Sequence, residues 1–361
     1  MFLLRTLVCL SLCGALAPAQ QRAKNVILFI GDAGGIPTLN GASIHGYGAA
    51  QKLFVQHMPH IALSDTSAAN SWVTDSAAGM TAIVTGQKVA NGVLSQAPDG
   101  SPLKTILEYA EEHGLSTGVV SNSPMSDATP AACYAHVAAR KMTGEIFTQV
   151  WKPRFGDGVD VILGPGRKSI AAAVQAMGMD LDAQLKSSGR PVYESFAAIP
   201  ADAKRAVVLL DTAEFSWEEA ADKAIAILSK NPKGYFLMVE NDVHTDNPKR
   251  GLDRVVALDK YVEKTVKNAG KNTLVIFTAD HSFDFRIRSG KVGEPLTLPS
   301  TSKPTPAVAE AEAKTNARVN GTHTGEEVLV SAQGPGAEKV RGFMPNTELF
   351  RIMLAAFGWK P

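Results

Sequence analysis

Six short runs of β-branched and other apolar residues punctuate the chain: Asn25 to Ile30, Thr117 to Ser121, Val159 to Leu163, Ala206 to Leu210, Tyr235 to Val239 and Thr273 to Thr278. They are nearly continuous rather than alternating, which suits strands covered on both faces in a mostly parallel sheet. Helical patterns separate them. Ser216 precedes Trp217-Glu218-Glu219, and Ala221, Ala224, Ile225 and Leu228 line one apolar face. A second helix is predicted through Leu252 to Val266, and a last one through Thr347 to Phe357. Strands alternating with helices imply an α/β fold, a three-layer sandwich whose mostly parallel central sheet is covered by helices on both faces. In such sheets ligands bind outside the carboxyl ends of the strands. The stretch from Arg288 to Asn320 is rich in Pro, Thr, Lys and Ala with little apolar periodicity, and is expected to be a surface excursion near the site.

The first nineteen residues follow a different pattern. A basic start ending at Arg5 leads into an apolar run from Leu7 to Ala17 and the small-residue pattern Ala17-Pro18-Ala19, as in a secretory signal cut after Ala19. The run is shorter than the ~20 residues that span a bilayer. Residues 1–19 are therefore expected to be a signal peptide, and 20–361 a single domain that is periplasmic or extracellular. Cleavage would remove Arg5, Cys9 and Cys13, leaving Cys133 alone, so no intramolecular disulfide would hold the fold. The whole chain of 361 residues carries a formal charge of only +1 and has 45% hydrophobic and 20% charged residues. That balance is ordinary for a globular protein and argues against a nucleic-acid-binding module. Anionic ligands must be attracted by local charge.

Three predicted strand ends carry metal-ligating residue types. The first strand runs into Gly31-Asp32-Ala33-Gly34-Gly35, where a carboxylate is flanked by glycines that let other groups approach. Glu240-Asn241-Asp242-Val243-His244 follows Tyr235 to Val239, and Asp280-His281 follows Thr273 to Thr278. A further histidine, His323, lies in Gly321-Thr322-His323-Thr324-Gly325. Asp after Gly ordinarily marks a turn, and each histidine alone reads as a surface or core residue. Their joint placement at one edge is what suits zinc and magnesium. Ser76, in Val73-Thr74-Asp75-Ser76-Ala77-Ala78-Gly79, begins a predicted helix whose free amides favour an anionic phosphoryl group. Asp75 or Ser76 acting merely as an N-cap is the plainer alternative.

These segments resemble the alkaline phosphatase family in order along almost the whole mature chain. Further matching strings are Asp127-Ala128-Thr129-Pro130-Ala131-Ala132, Ala135-His136-Val137 with Arg140, Val159-Asp160-Val161-Ile162-Leu163-Gly164, and Phe236 to Glu240. The resemblance implies an alkaline phosphatase-like fold and hydrolysis of small phosphate monoesters to an alcohol and inorganic phosphate. Ser76 would be the nucleophile, carried through a phosphoserine and activated by a zinc ion held by Asp32, Asp280 and His281. A second zinc would be held by His323 with the carboxylate and imidazole of the Glu240 segment. A magnesium site would use Asp32, Thr129 and Glu240, with Asp127 acting through bound water. Arg140 would grip two phosphoryl oxygens with its planar fork.

The chain departs from the family pattern twice. After the glutamate the family has an aspartate five positions on and a histidine four beyond it, whereas this chain reads Glu240, Asp242, His244. His244 lies fifteen residues before Asp259, the spacing that the resemblance implies for the family's histidine. Asp242 becomes the expected carboxylate ligand, with Asp246 as runner-up. Phe283 stands where many relatives carry a second histidine beyond the Asp-His pair. No room is evident for the large crown insertion of some members, so either a monomer or a homodimer is compatible. The rival readings are a phosphodiesterase of the same superfamily and a relative that binds phosphate or metal without catalysis. Arg140 favours monoesters, because a dianionic phosphoryl group rewards a bidentate cation more than a diester does.

Overall fold

The computed structural model describes residues 21–293, 295–296 and 316–360. The expected signal peptide and most of the expected excursion lie outside the described residues. Among the described residues the strands are β1 (Asn25–Asp32), β2 (His60–Asp65), β3 (Ser116–Ser121), β4 (Val161–Pro165), β5 (Ala206–Leu210), β6 (Tyr235–Asp242), β7 (Thr273–Thr278), β8 (Ser282–Ile287), β9 (Ala317–Thr324), β10 (Val328–Gln333) and β11 (Gly342–Pro345). The α-helices are α1 (Ile36–Tyr47), α2 (Ser76–Thr85), α3 (Ile106–Glu112), α4 (Ala128–Ala131), α5 (Thr143–Thr148), α6 (Arg167–Ala176), α7 (Leu181–Ser187), α8 (Trp217–Leu228), α9 (Pro248–Asn268) and α10 (Glu348–Phe357). Each of the six apolar runs contains a strand, although β4 starts at Val161, two residues into its run, and all three predicted helices form. The expected helix over Leu252 to Val266 begins earlier, because Asn247 caps the Arg250 amide and Pro248 supplies the first-turn φ.

Nine strands form one sheet in the order β11-β2-β10-β7-β1-β6-β3-β4-β5. Within it β10 alone runs against both its neighbours, so the sheet is mostly parallel. Alternation along each strand divides the interior into two layers. Val26, Leu28 and Ile30 pack on one face with α2, α3 and α10, while Ile27 and Phe29 pack on the other with α1, α8 and α9. This is the expected three-layer sandwich. Among the described residues no helix is long and apolar enough to cross a membrane.

The register fixes where the polar residues emerge. β1 lies between β6 and β7, with Ile30 opposite both Glu240 and Thr278, and Asp32 opposite Asp242. Ser121 of β3 lies opposite Glu240. A second, two-stranded sheet pairs β8 with β9 antiparallel, setting Phe283 against His323. β9 starts inside the stretch expected to be an irregular excursion, so residues 317–320 of that stretch are strand.

Candidate active site

The carboxyl ends of β1, β6 and β7 deliver Asp32, Asp242 and Asp280-His281 to one edge, and β9 brings His323 across to them. α2 brings Ser76. Asp75 caps that helix, accepting from the Ala78 amide at 3.0 Å with one oxygen and from the Gly92 amide at 3.0 Å with the other. Ser76 therefore sits in the first turn, beside free amides, and is only 3% exposed. Gly79 lets the helix come close. A Cβ there would lie 2.6 Å from the Asp280 carbonyl oxygen.

Ser76 Oγ lies 3.2 Å from His281 Nε2, and Asp32 Oδ1 lies 3.2 Å from the same nitrogen. A serine-histidine-aspartate relay would put the carboxylate on the ring's other nitrogen. Here that nitrogen, Nδ1, donates to the Ser282 carbonyl at 3.0 Å. The hydroxyl, the imidazole and the carboxylate thus converge on one point instead of forming a chain. Asp280 Oδ2 is 3.6 Å from His281 Nε2.

Two more imidazoles are oriented in the same manner. His244 Nδ1 donates to Asp242 Oδ1 at 2.8 Å and His323 Nδ1 donates to the Thr74 carbonyl at 3.1 Å, leaving their Nε2 atoms 3.5 Å apart. The His281 and His323 rings stack with centroids 3.7 Å apart. Two groups result whose ligand atoms lie within 4.8 Å of one another: Asp32, Asp280 and His281, and His244, His281 and His323. Imidazole nitrogens and carboxylate oxygens can crowd together in this way only with positive charge among them, supplied by a proton or by a bound cation.

The electrostatics report the same deficit of positive charge. Burial opposes charging His281, yet Asp280 and Asp32 outweigh it and raise the imidazole to about 9. Burial and the neighbouring Asp32 push Asp280 up to about 6, whereas Asp32, against its burial, is held well below the usual carboxylate range by His281 and the other two histidines. Burial and the nearby His281 and His244 depress His323 to about 4. Asp32 Oδ1 and Asp280 Oδ2 are buried without a hydrogen bond. A divalent cation fits this donor set.

Beside these groups lies a second polar cluster. Glu240 is 1% exposed and accepts from Ser121 Oγ. Burial, Asp32, Asp127 and Asp280 raise its carboxyl well above the ordinary range. Thr129 Oγ1 is buried with no hydrogen-bond partner. Asp127 Oδ1 accepts from Arg140 Nη2 at 2.9 Å, and Arg140 Nη1 donates to Asp75 Oδ2 at 3.3 Å. Arg140 thus stands between the helix that carries Ser76 and the segment that carries Thr129.

A family model described as alkaline phosphatase matches residues 23–205 and 200–316. The chain belongs to the alkaline phosphatase family. The alkaline phosphatase of Escherichia coli K12 is 32% identical over 413 residues, covering 95% of this chain and 88% of that relative. Streptomycin-6-phosphate phosphatase of Streptomyces griseus is 28% identical over 417 residues, covering 93% of this chain and 91% of that one. Among solved structures, alkaline phosphatase from the Antarctic bacterium TAB5 superimposes with a TM-score of 0.78 at 26% identity, over 95% of this chain and 100% of that chain. This chain is accordingly a phosphoric monoester hydrolase of a metal-dependent family, acting on small phosphate esters.

Against the alkaline phosphatase pattern, the residues expected to act fall together except in one segment. Asp246 turns away to Arg250 at 3.1 Å, with its side chain 57% exposed. Asp242 lies at the site, but both its oxygens are engaged, by His244 and by Arg254 Nη1 at 3.2 Å. Phe283 sets its ring edge-on to His244 with centroids 4.9 Å apart. Sequence reasoning missed Ser121, Arg254 and the hold of Asp75 on Arg140. Asp75 had a signal, its capping position. The other two had none.

Proposed function

We propose that the protein hydrolyses phosphate monoesters through a phosphoserine at Ser76, with two zinc ions and one magnesium ion. The observation that carries this reading is the convergence of Asp32, Asp280 and three imidazole Nε2 atoms beside one buried hydroxyl. Asp32, Asp280 and His281 would hold one zinc, and His244 and His323 the other. Magnesium would take Asp32, Thr129 and Glu240, with Asp127 reached through water. A mutant of the TAB5 enzyme has magnesium bound, at 27% identity to this chain. When bound, such ions supply Lewis-acid stabilisation of the attacking, phosphoryl and departing oxygens.

The chain's own residues do the rest. Ser76 Oγ bonds to phosphorus as the ester oxygen departs with its electron pair and takes a proton to become the alcohol. Water then attacks phosphorus from the side the ester oxygen left, opposite the serine oxygen, which departs with its bonding pair and recovers a proton as inorganic phosphate is released. The amides of the first turn of α2 bind phosphoryl oxygen, and Arg140, already positioned by Asp75 and Asp127, closes its fork on two more. A dianionic monoester uses both contacts fully, whereas a diester offers one charge fewer. The test is Ser76→Ala assayed against an aryl phosphate monoester and the corresponding diester. A loss of about a thousandfold or more is expected with the monoester. Retained wild-type turnover would remove the covalent route. Faster wild-type cleavage of the diester would transfer the reading to a phosphodiesterase.

A further inference from the structure

Asp242 is the carboxylate that the family pattern offers to the second metal ion, but its surroundings give it another task. Only one residue separates it from His244, and the turn folds its carboxylate back onto that residue. Asp242 Oδ1 accepts from the His244 backbone amide at 3.1 Å and from His244 Nδ1 at 2.8 Å. On its other side Arg254, on α9, donates through Nη1 to Oδ2 at 3.2 Å and to the Asp242 carbonyl at 2.9 Å. Four hydrogen bonds therefore fix the residue. The backbone amide of Asp242 adds a fifth, to Asn122 Oδ1 at 2.7 Å.

The two ring nitrogens of an imidazole point in different directions, so a carboxylate on Nδ1 and an ion on Nε2 do not meet. His244 presents Nε2 to His323 Nε2, 3.5 Å away, and the ligand atoms that converge there are all imidazole nitrogens. A carboxylate that orients a histidine from behind fixes its tautomer and raises its basicity. We propose that Asp242, anchored by Arg254, is a positioning residue for His244, and that the second metal ion rests on His244 and His323 without a carboxylate of its own from this segment. This rests on the two-metal reading above. In the shortened segment after Glu240 only Val243 separates Asp242 from His244, and the turn sets the carboxylate on the Nδ1 side. The ion would therefore keep more of its positive charge for phosphate oxygen and be held less tightly than one with a carboxylate ligand.

The test dialyses the purified holoprotein against buffers of decreasing free zinc and counts the zinc retained per chain, for wild type, Asp242→Asn, Arg254→Gln and His323→Ala. Wild type is expected to hold two zinc ions with separable affinities, and His323→Ala to lose one. Asp242→Asn is expected to keep two, with one weakened about tenfold to hundredfold. Arg254→Gln should weaken the same ion several-fold. Cobalt-substituted Asp242→Asn should show absorption bands at wild-type positions, because no ligand has been removed. Loss of a whole zinc ion from Asp242→Asn, matching His323→Ala, would make Asp242 a ligand and overturn the inference. Unchanged zinc retention in Arg254→Gln would overturn the anchoring. A wild type that holds fewer than two zinc ions, or that hydrolyses no monoester, would defeat the two-metal reading itself.

Discussion

His281 joins both converging groups, and its charge decides when either can take an ion. Asp280 and Asp32 raise it to about 9, against the cost of its burial, so below that pH the metal-free imidazole holds a proton on the nitrogen a metal needs. The sign follows: a cation must expel that proton, and the expulsion becomes harder as the pH falls. Apparent zinc affinity is expected to drop about tenfold for each pH unit from 9 to 6. Zinc retention in metal-buffered solutions across that range checks it, and a flat profile would contradict it. Asp32, Glu240 and the Asp280-His281 pair were legible in the sequence because each follows an apolar run directly, so strand order alone gathers them. Arg254 was not. It lies on a long amphipathic helix among many surface charges, and its work depends on which turn of α9 faces the end of β6.

At the scale of elements, the approach of α2 to the segment after β7 holds the nucleophile beside its partners. Gly79 is the contact point, because a Cβ would press on the Asp280 carbonyl oxygen, a backbone atom that cannot turn aside. Gly79→Ala is expected to push the start of α2 away from His281 and lower kcat/KM about tenfold to hundredfold, while zinc content stays at the wild-type value. Steady-state kinetics with metal analysis on one preparation would show it. Loss of zinc along with activity would point to collapse of the site instead. The sheet's centre could be read from sequence because β1, β3, β4, β5, β6 and β7 are buried on both faces and so are continuously apolar. The strands β2, β10 and β11 carried no such mark. β2 and β11 are partly exposed, which breaks the apolar run, and in β10 the run stops after Val330 at Ser331. The strand β9 is mostly polar because, among the described residues, it pairs with β8 alone and buries little. Its first four residues, 317–320, therefore fall within the stretch expected to be an excursion.

Across the whole molecule, one carboxyl far from the site connects stability to pH. Glu111 of α3 is 6% exposed and accepts from the Gly158 amide at 2.9 Å and from Thr117 Oγ1 at 3.1 Å. Burial, abetted by Glu108 and resisted by the Gly158 amide, pushes it up to about 8. The folded state keeps this proton where the unfolded chain has lost it, so Glu111 costs stability as pH climbs from about 4.5 to about 8, and the loss levels off above that. Glu111→Gln keeps the shape without the charge. Its advantage over wild type in urea unfolding is expected to be small near pH 5 and to grow to a few kcal/mol at pH 9. An advantage that did not vary with pH would assign the effect to packing. The hairpin of β8 and β9 has a different consequence for the molecule. β8 is buried against the core through Phe285, whereas β9 is mostly exposed and supplies His323, so an ion shared with His244 would tie β9 to the body of the protein. Chelation should then unfasten that strand: amide exchange across Ala317–Thr324 should quicken while β1 and β6 remain protected, and the enzyme would lose its grip on substrate well before it unfolds.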